Sequence, residues 1–208
     1  MKATTLLIAR HGNNFNPGET ITRVGAKSDL PLSKTGMAQG LALGKYLKQH
    51  NLIPQKIFTS ELQRTIQMAK QVQKAIGQKI PTEALELFNE IDYGPDEGKC
   101  EEDVINRVGE EALRFWDEDS LPPMGWAVDT VGLRAAWYDL GERIARQHAG
   151  ETVMVITHNG VARFASILTG DAKGLKCMDG ARLSTGAFGH LVHTDPFWEC
   201  LEWNIQPE

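Results

Sequence analysis

The run Thr152-Val153-Met154-Val155-Ile156-Thr157-His158-Asn159-Gly160 sets four consecutive apolar side chains between two threonines, then stops at a histidine and a polar turn. Continuous rather than alternating hydrophobicity suits a strand buried on both faces, so this run reads as an interior strand of a parallel sheet. Upstream, Asp129–His148 carries Leu133, Trp137, Leu140 and Ile144 at helical spacing, and Gly150 closes that helix. Downstream, the chain enters another helix. The N-terminus repeats the design: apolar, β-prone Thr4–Ala9 ends at Arg10-His11-Gly12. After a polar loop from Asn13 to Pro31, Ser33 caps a helix reaching about His50, with Met37, Leu41, Leu43, Gly44 and Leu47 near one face. Lys56–Thr59 is a second short strand, feeding a helix from Glu61 or Leu62 to near Gly77, and Ile80–Leu87 holds a third. Ala187–His193 and Glu199–Trp203 alternate around Thr194-Asp195-Pro196-Phe197 as a terminal hairpin.

Strands separated by helices predict an α/β fold: a three-layer sandwich with a mostly parallel central sheet flanked by helices. One domain over residues 1–208 is expected, with a small acidic helical cap inserted at about residues 92–130. A helix within Glu101–Trp116 is expected inside that cap.

Charge supports the division. Net charge is −5, but residues 1–80 carry 12 basic and 3 acidic side chains, whereas residues 81–130 carry 3 and 15. The basic residues of the first part are spread over helices, with no dense tract or interleaved aromatics, so a nucleic-acid binder is not expected. The longest apolar runs, Leu6–Ala9 and Val153–Ile156, are four residues, too short to cross a membrane. The N-terminal apolar stretch is likewise too short for a secretory signal. Cys100, Cys177 and Cys200 form no C-x-x-C pair, so no disulfide framework or zinc knuckle is indicated and a reducing cytoplasm is expected.

Ligands of such sheets sit beyond the carboxyl ends of the strands. Three polar clusters fall there: Arg10-His11-Gly12, Ser60 to Arg64, and His158-Asn159-Gly160. Taken singly, each is more often a solvated or structural group; their shared placement makes one site. Neutral imidazole is a nucleophile near pH 7. Guanidinium groups bind phosphate oxygens in pairs, and Gly12 lets backbone approach a ligand. Arg10, Arg64 and a protonated His158 could neutralise a phosphoryl group while His11 attacks it. A leaving alcohol needs a proton, and Glu90, if buried, would have a raised pKa and could supply it.

Together these residues resemble the histidine phosphatase superfamily, in its phosphoglycerate-mutase-like branch. The resemblance rests on Arg10-His11-Gly12, on Asp29-Leu30-Pro31-Leu32-Ser33-Lys34-Thr35-Gly36, and on Ser60-Glu61-Leu62-Gln63-Arg64. It also rests on Glu90, Gly94, Glu97 and Gly98 at the family's spacing, and on the strand ending at His158. It implies His11 as the phosphorylated nucleophile, Arg10, Arg64 and His158 at the phosphoryl group, and Glu90 as proton donor, with no metal or other cofactor. Asn16 stands one residue earlier than the family's usual phosphate-binding Asn and takes that role. Thr22 and Gly25, in a loop expected over the site, and Asn159 are further substrate contacts. Where the family often has Gly-Glu-Ser, Gly125-Trp126-Ala127 predicts an apolar wall.

The resemblance leaves phosphatase against mutase. The family's glycolytic mutases use a longer insertion bearing an adjacent Arg pair and a Lys. Between Glu90 and His158 this chain has Lys99, Arg107, Arg114, Arg134, Arg143 and Arg146, no two adjacent. A phosphomonoester hydrolase acting on a small phosphorylated molecule is therefore the leading reading. A phosphomutase, a non-catalytic regulatory member of the fold, and a metal-dependent hydrolase with His11 and His158 as ligands are its rivals. An acidic cap is expected to favour neutral or cationic leaving groups. Trp116, Trp126 and Trp137 belong to core or to the cavity mouth. Trp198, Leu201 and Trp203 offer an edge for pairing into a homodimer.

Overall fold

The computed structural model describes residues 3–170 and 182–208. Six strands form one sheet: β1 (Thr5–Arg10), β2 (Lys56–Thr59), β3 (Thr82–Ala84), β4 (Thr152–Thr157), β5 (Phe188–His193) and β6 (Trp198–Ile205). Their order is β3-β2-β4-β1-β5-β6. The first four positions are parallel, and β5 and β6 run antiparallel at one side. The mostly parallel α/β sheet expected from the sequence is the one observed.

Alternation along the central strands divides the core in two. Leu6 and Ile8 of β1, with Val153 and Val155 of β4, join one apolar cluster. Leu7 and Ala9, with Met154 and Ile156, join the other. On the second face lie α1 (Lys34–Gln49) and α2 (Gln63–Ile76), through Leu43, Leu47, Met68 and Val72. On the first lies α5 (Thr130–Gln147), through Trp137, Leu140 and Ile144. Both faces are covered, so the central strands are continuously apolar.

The helix starts follow capping chemistry. Ser33 accepts from the Gly36 amide at the start of α1, and Asp129 accepts from Gly132 at the start of α5. At the end of α2, Gly77 takes φ 81°, a left-handed turn that side chains resist. The end of α5 differs slightly from expectation: His148 caps it, two residues before Gly150.

Two larger departures concern the chain after α2. The third strand is three residues long; Glu86–Phe88 is instead a 3-10 turn. The single helix expected within Glu101–Trp116 is two, α3 (Glu101–Val108) and α4 (Glu110–Asp119). Gly109 between them has φ 82°, which breaks the helical hydrogen-bond ladder. After β4, α6 (Asn159–Ala162) is a single turn that tightens into a 3-10 stretch, Arg163–Thr169.

No helix among the described residues is long and apolar enough to cross a membrane. Of the hairpin residues expected to offer a pairing edge, Trp198 is core and Trp203 donates its indole N–H to the Arg182 carbonyl, leaving Leu201 exposed. Cys177 lies outside the described residues.

Candidate active site

Parallel register builds the site. Arg10 of β1 lies opposite Thr157 of β4, and Thr59 of β2 lies opposite Ile156. The next residue on each chain therefore emerges at the same edge: His11, His158 and Ser60. The His11 and His158 rings end 4.9 Å apart between centroids. A cavity of about 860 Å³ opens over this edge. Its floor includes Arg10, His11, Glu90 and Asn159. Residues Asn13 to Val24 form one wall; Tyr93, Glu101, Leu113, Trp116 and Asp117 of the insertion form another. Thr35, Arg182 and Thr185 complete it.

His11 is buried, 5% exposed, and its Nδ1 lies 2.7 Å from the Gly12 carbonyl. A carbonyl only accepts, so Nδ1 carries the proton and Nε2 keeps its lone pair. Burial pushes the His11 pKa well below its usual range, and the Arg10 and Arg64 charges push it further down. The ring is therefore neutral with one nitrogen available.

Gly12 also makes a close contact within the protein. A methyl there would lie 2.5 Å from the Gly36 carbonyl oxygen, and one on Gly36 would lie 2.2 Å from Asn13 oxygen. The two glycines let the loop after β1 press against the start of α1. Gly12 thus fixes the base of the His11 loop by close backbone contact with the start of α1.

His158 also departs from its expected state. Arg64 Nε donates to His158 Nδ1 at 3.1 Å, and His158 Nε2 lies 3.0 Å from Ser60 Oγ. With Nδ1 accepting, the proton sits on Nε2 and is given to Ser60. The ring is neutral, and burial first of all, with the neighbouring Arg64 and Arg10 charges, lowers its pKa well below the ordinary value. The protonated His158 expected from the sequence is replaced by a neutral one, because Arg64 holds the nitrogen that would take the proton.

Arg64 is fully buried and spends its other donors on the Ser28 carbonyl (2.7 Å) and the Gly25 carbonyl (3.2 Å). Arg64, His158 and Gly25 stand behind the cavity wall rather than in it. Gly25 is glycine because its neighbours are close: a methyl would meet Glu97 Oε2 at 2.3 Å.

Glu90 is buried, and burial raises its pKa. Its Oε1 accepts from the Ile91 amide at 2.9 Å, and Tyr93 O–H lies 3.5 Å from Oε2. Arg10 Nη1 donates to the Leu183 carbonyl and Asn159 Oδ1 accepts from the Leu183 amide, each at 2.9 Å, so both tie the chain after residue 181 to the cavity. Asn16 is exposed and bonds Glu19 through its backbone and side-chain N–H groups. Thr22 lines the cavity and bridges to Cys100.

The three tryptophans in or near the insertion separate. Trp116 lines the cavity, Trp126 packs behind it with its indole N–H on Asp96, and Trp137 is core, bonded to the Val161 carbonyl. Trp126 therefore backs the apolar wall rather than forming its surface. Arg23 and Arg182 line the cavity as well. Both escaped the sequence reading, although Arg23 falls within the loop expected over the site. No group of three His, Cys, Asp or Glu side chains able to hold a metal ion occurs among the described residues. With both His158 nitrogens bonded to protein, His11 and His158 do not form a ligand pair.

The family model for the histidine phosphatase superfamily, branch 1, matches residues 6–206. A 2,3-bisphosphoglycerate-dependent phosphoglycerate mutase from Methylobacterium is 31% identical over 185 residues, 87% of each chain. One of the same name from Chelativorans is 31% identical over 175 residues, 80% of this chain and 82% of its own. A mycobacterial glucosyl-3-phosphoglycerate phosphatase superposes with a TM-score of 0.75 at 19% identity, over 98% of this chain and 99% of that one. A phosphoglycerate mutase from Bacillus anthracis gives 0.75 at 20% identity, over 97% and 92%. At such identities the structures share the fold, and that fold occurs under both names. Matched from Leu6 to Gln206, with Arg10-His11-Gly12 and His158 brought to one edge of the sheet, the chain belongs to the histidine phosphatase superfamily.

Proposed function

We propose that the protein hydrolyses phosphomonoesters through a phosphohistidine on His11. One observation carries the proposal: a neutral His11 lines the cavity with its Nδ1 proton held by Gly12 oxygen and its Nε2 lone pair unclaimed among the described residues. Nε2 attacks phosphorus as the ester P–O bond breaks, and Glu90 gives its proton to the departing oxygen. Water then attacks phosphorus, Glu90 takes its proton, and the P–N bond breaks to release phosphate and restore both residues. Arg10 and Asn16 supply donors to the phosphoryl oxygens. Arg64 and His158 join them by exchanging protein acceptors for phosphoryl oxygens. No metal ion takes part. The substrate is a small phosphorylated molecule, free in the cytoplasm.

Hydrolysis is preferred to transfer because of what the insertion gives the cavity. Its lining residues there, Tyr93, Glu101, Leu113, Trp116 and Asp117, include no cation. Arg107 is bound to Asp96, and Arg114 pairs with Glu118 on the surface. The mutase names of the relatives at 31% identity favour transfer between hydroxyls as the second reading. Phosphate release from a panel of monoesters, measured with chelator present, tests the proposal. Adding phosphoglycerate with a bisphosphate primer separates the readings: isomerisation outpacing phosphate release would make the protein a mutase.

A further inference from the structure

Arg163 is a buried cation that the proposed reaction does not use. It is 1% exposed and opens the 3-10 stretch just beyond the turn that carries His158. Its Nη1 donates to the Trp116 carbonyl, and its Nη2 lies 3.7 Å from an Asp117 oxygen. The guanidinium carbon sits 4.0 Å from the centre of the Trp116 ring. Its Nε donates back to the Asn159 carbonyl at 3.5 Å. Asn159 belongs to the floor of the cavity, and Trp116 and Asp117 to its wall, so one side chain spans both.

The wall needs such a tie. Helix α4 lies between two residues of positive φ, Gly109 at 82° and Ser120 at 57°, so the helix continues in neither direction. Among the described residues, the hydrogen bond and the ion pair that reach α4 from the body of the protein both come from Arg163. The guanidinium meets the last turn of the helix, where the dipole favours a cation. Asp117 is 57% exposed, so water screens most of that pair, and the carbonyl and the face of the indole ring hold the helix. An apolar side chain of similar length would fill this space at less desolvation cost, so the buried charge points to the contact it makes.

Resting on the phosphatase reading, we propose that Arg163 is a positioning residue that fixes the Trp116 wall above the cavity floor at Asn159. It thereby sets the affinity for esters whose leaving group carries a flat apolar body that packs on the Trp116 ring. Arg163 touches wall and floor but not the reacting groups, so it acts on binding and not on the chemical step.

Steady-state kinetics with 1-naphthyl phosphate, whose rings extend toward the wall, and methyl phosphate, which fills only the phosphoryl end, test this in the intact protein, Arg163→Met and Arg163→Lys. Arg163→Met should raise KM for the naphthyl ester about 10-fold with kcat changed less than about twofold, and should leave both constants for methyl phosphate within about twofold. Arg163→Lys keeps a cationic donor without the flat contact to the ring and should restore part of the affinity; it gives the readout if Arg163→Met fails to fold. In a Trp116→Ala background, Arg163→Met should change KM no further, because Arg163 acts through that ring. Amide hydrogen exchange should quicken in α4 of Arg163→Met while β4 keeps its protection. Equal losses for both esters, an unchanged KM for the naphthyl ester, a full effect in the Trp116→Ala background, or unchanged exchange in α4 overturns the assignment. Hydrolysis of neither ester by the intact protein overturns the phosphatase reading instead, and exchange in α4 then decides whether Arg163 holds the wall.

Discussion

Along the carboxyl edge of the sheet, His11 and His158 each follow a residue paired across the β1–β4 ladder. In the insertion, Asp96, Arg107 and Trp126 meet mainly through side chains: Arg107 Nε and Trp126 Nε1 each lie 2.6 Å from an Asp96 oxygen. Backbone pairing fixes a position whatever the side chain is. Side-chain clusters fix it only while every member is present. The first region is suited to holding reacting groups in place, and the second to setting what fits above them.

Substitutions should divide accordingly. The largest effect is expected at His11: His11→Ala should lower turnover of phenyl phosphate by about 10⁴-fold or more, as loss of a nucleophile does, with little change in thermal unfolding. Next, Glu90→Gln should cost about 10²–10⁴-fold with alkyl phosphates and less with 4-nitrophenyl phosphate, whose leaving group needs no proton. The pH profile should be bell-shaped. Rate should fall at low pH only where His11 protonates, which its depressed pKa places well below the usual histidine range. It should fall at high pH as Glu90, with its raised pKa, loses the proton it must donate. Steady-state kcat/KM across pH checks both limbs, and in Glu90→Gln the alkaline limb should vanish.

In the insertion, Asp96→Asn should cost about 1–3 kcal/mol of stability by weakening its bonds to Arg107 and Trp126, and should raise KM more than it lowers kcat. The Asp96 pKa is lowered, first by its bond to Arg107. Its stabilising contribution should therefore be complete above the ordinary carboxylate pKa and be lost as pH falls through the depressed folded value; urea titrations on either side test the sign. Smallest of all, Arg114→Ala should change stability by less than about 0.5 kcal/mol, because its pairs with Glu111 and Glu118 are exposed. A large loss there would mean that surface ion pairs hold the insertion.

The same contrast governs how much was legible in the sequence. The bounds of β4 and α1, the Ser33 cap and the Gly77 stop follow from local patterns, and the helix and strand read there are the ones observed. Convergence of His11, Ser60 and His158 followed from parallel topology alone. The state of His158 did not, since it depends on Arg64, 94 residues away in the chain. The packing of Gly12 against Gly36 was not legible because Gly36 belongs to another element. In the insertion, helical periodicity ran through Gly109 and hid the break, and its two tryptophans, Trp116 and Trp126, took different places. Arg23 stood in the expected loop, but its contacts with Tyr93, Trp126 and Glu101 are ones that only the folded chain brings to it.

The central claim is that His11 Nε2 becomes phosphorylated. Rapid acid-free quenching of the protein with a labelled phosphomonoester, followed by peptide mass spectrometry, tests it directly. The account predicts an acid-labile, base-stable phosphoryl group on the peptide containing His11, formed and discharged at rates no slower than turnover. Turnover with no such species, or a label on another residue, would contradict it.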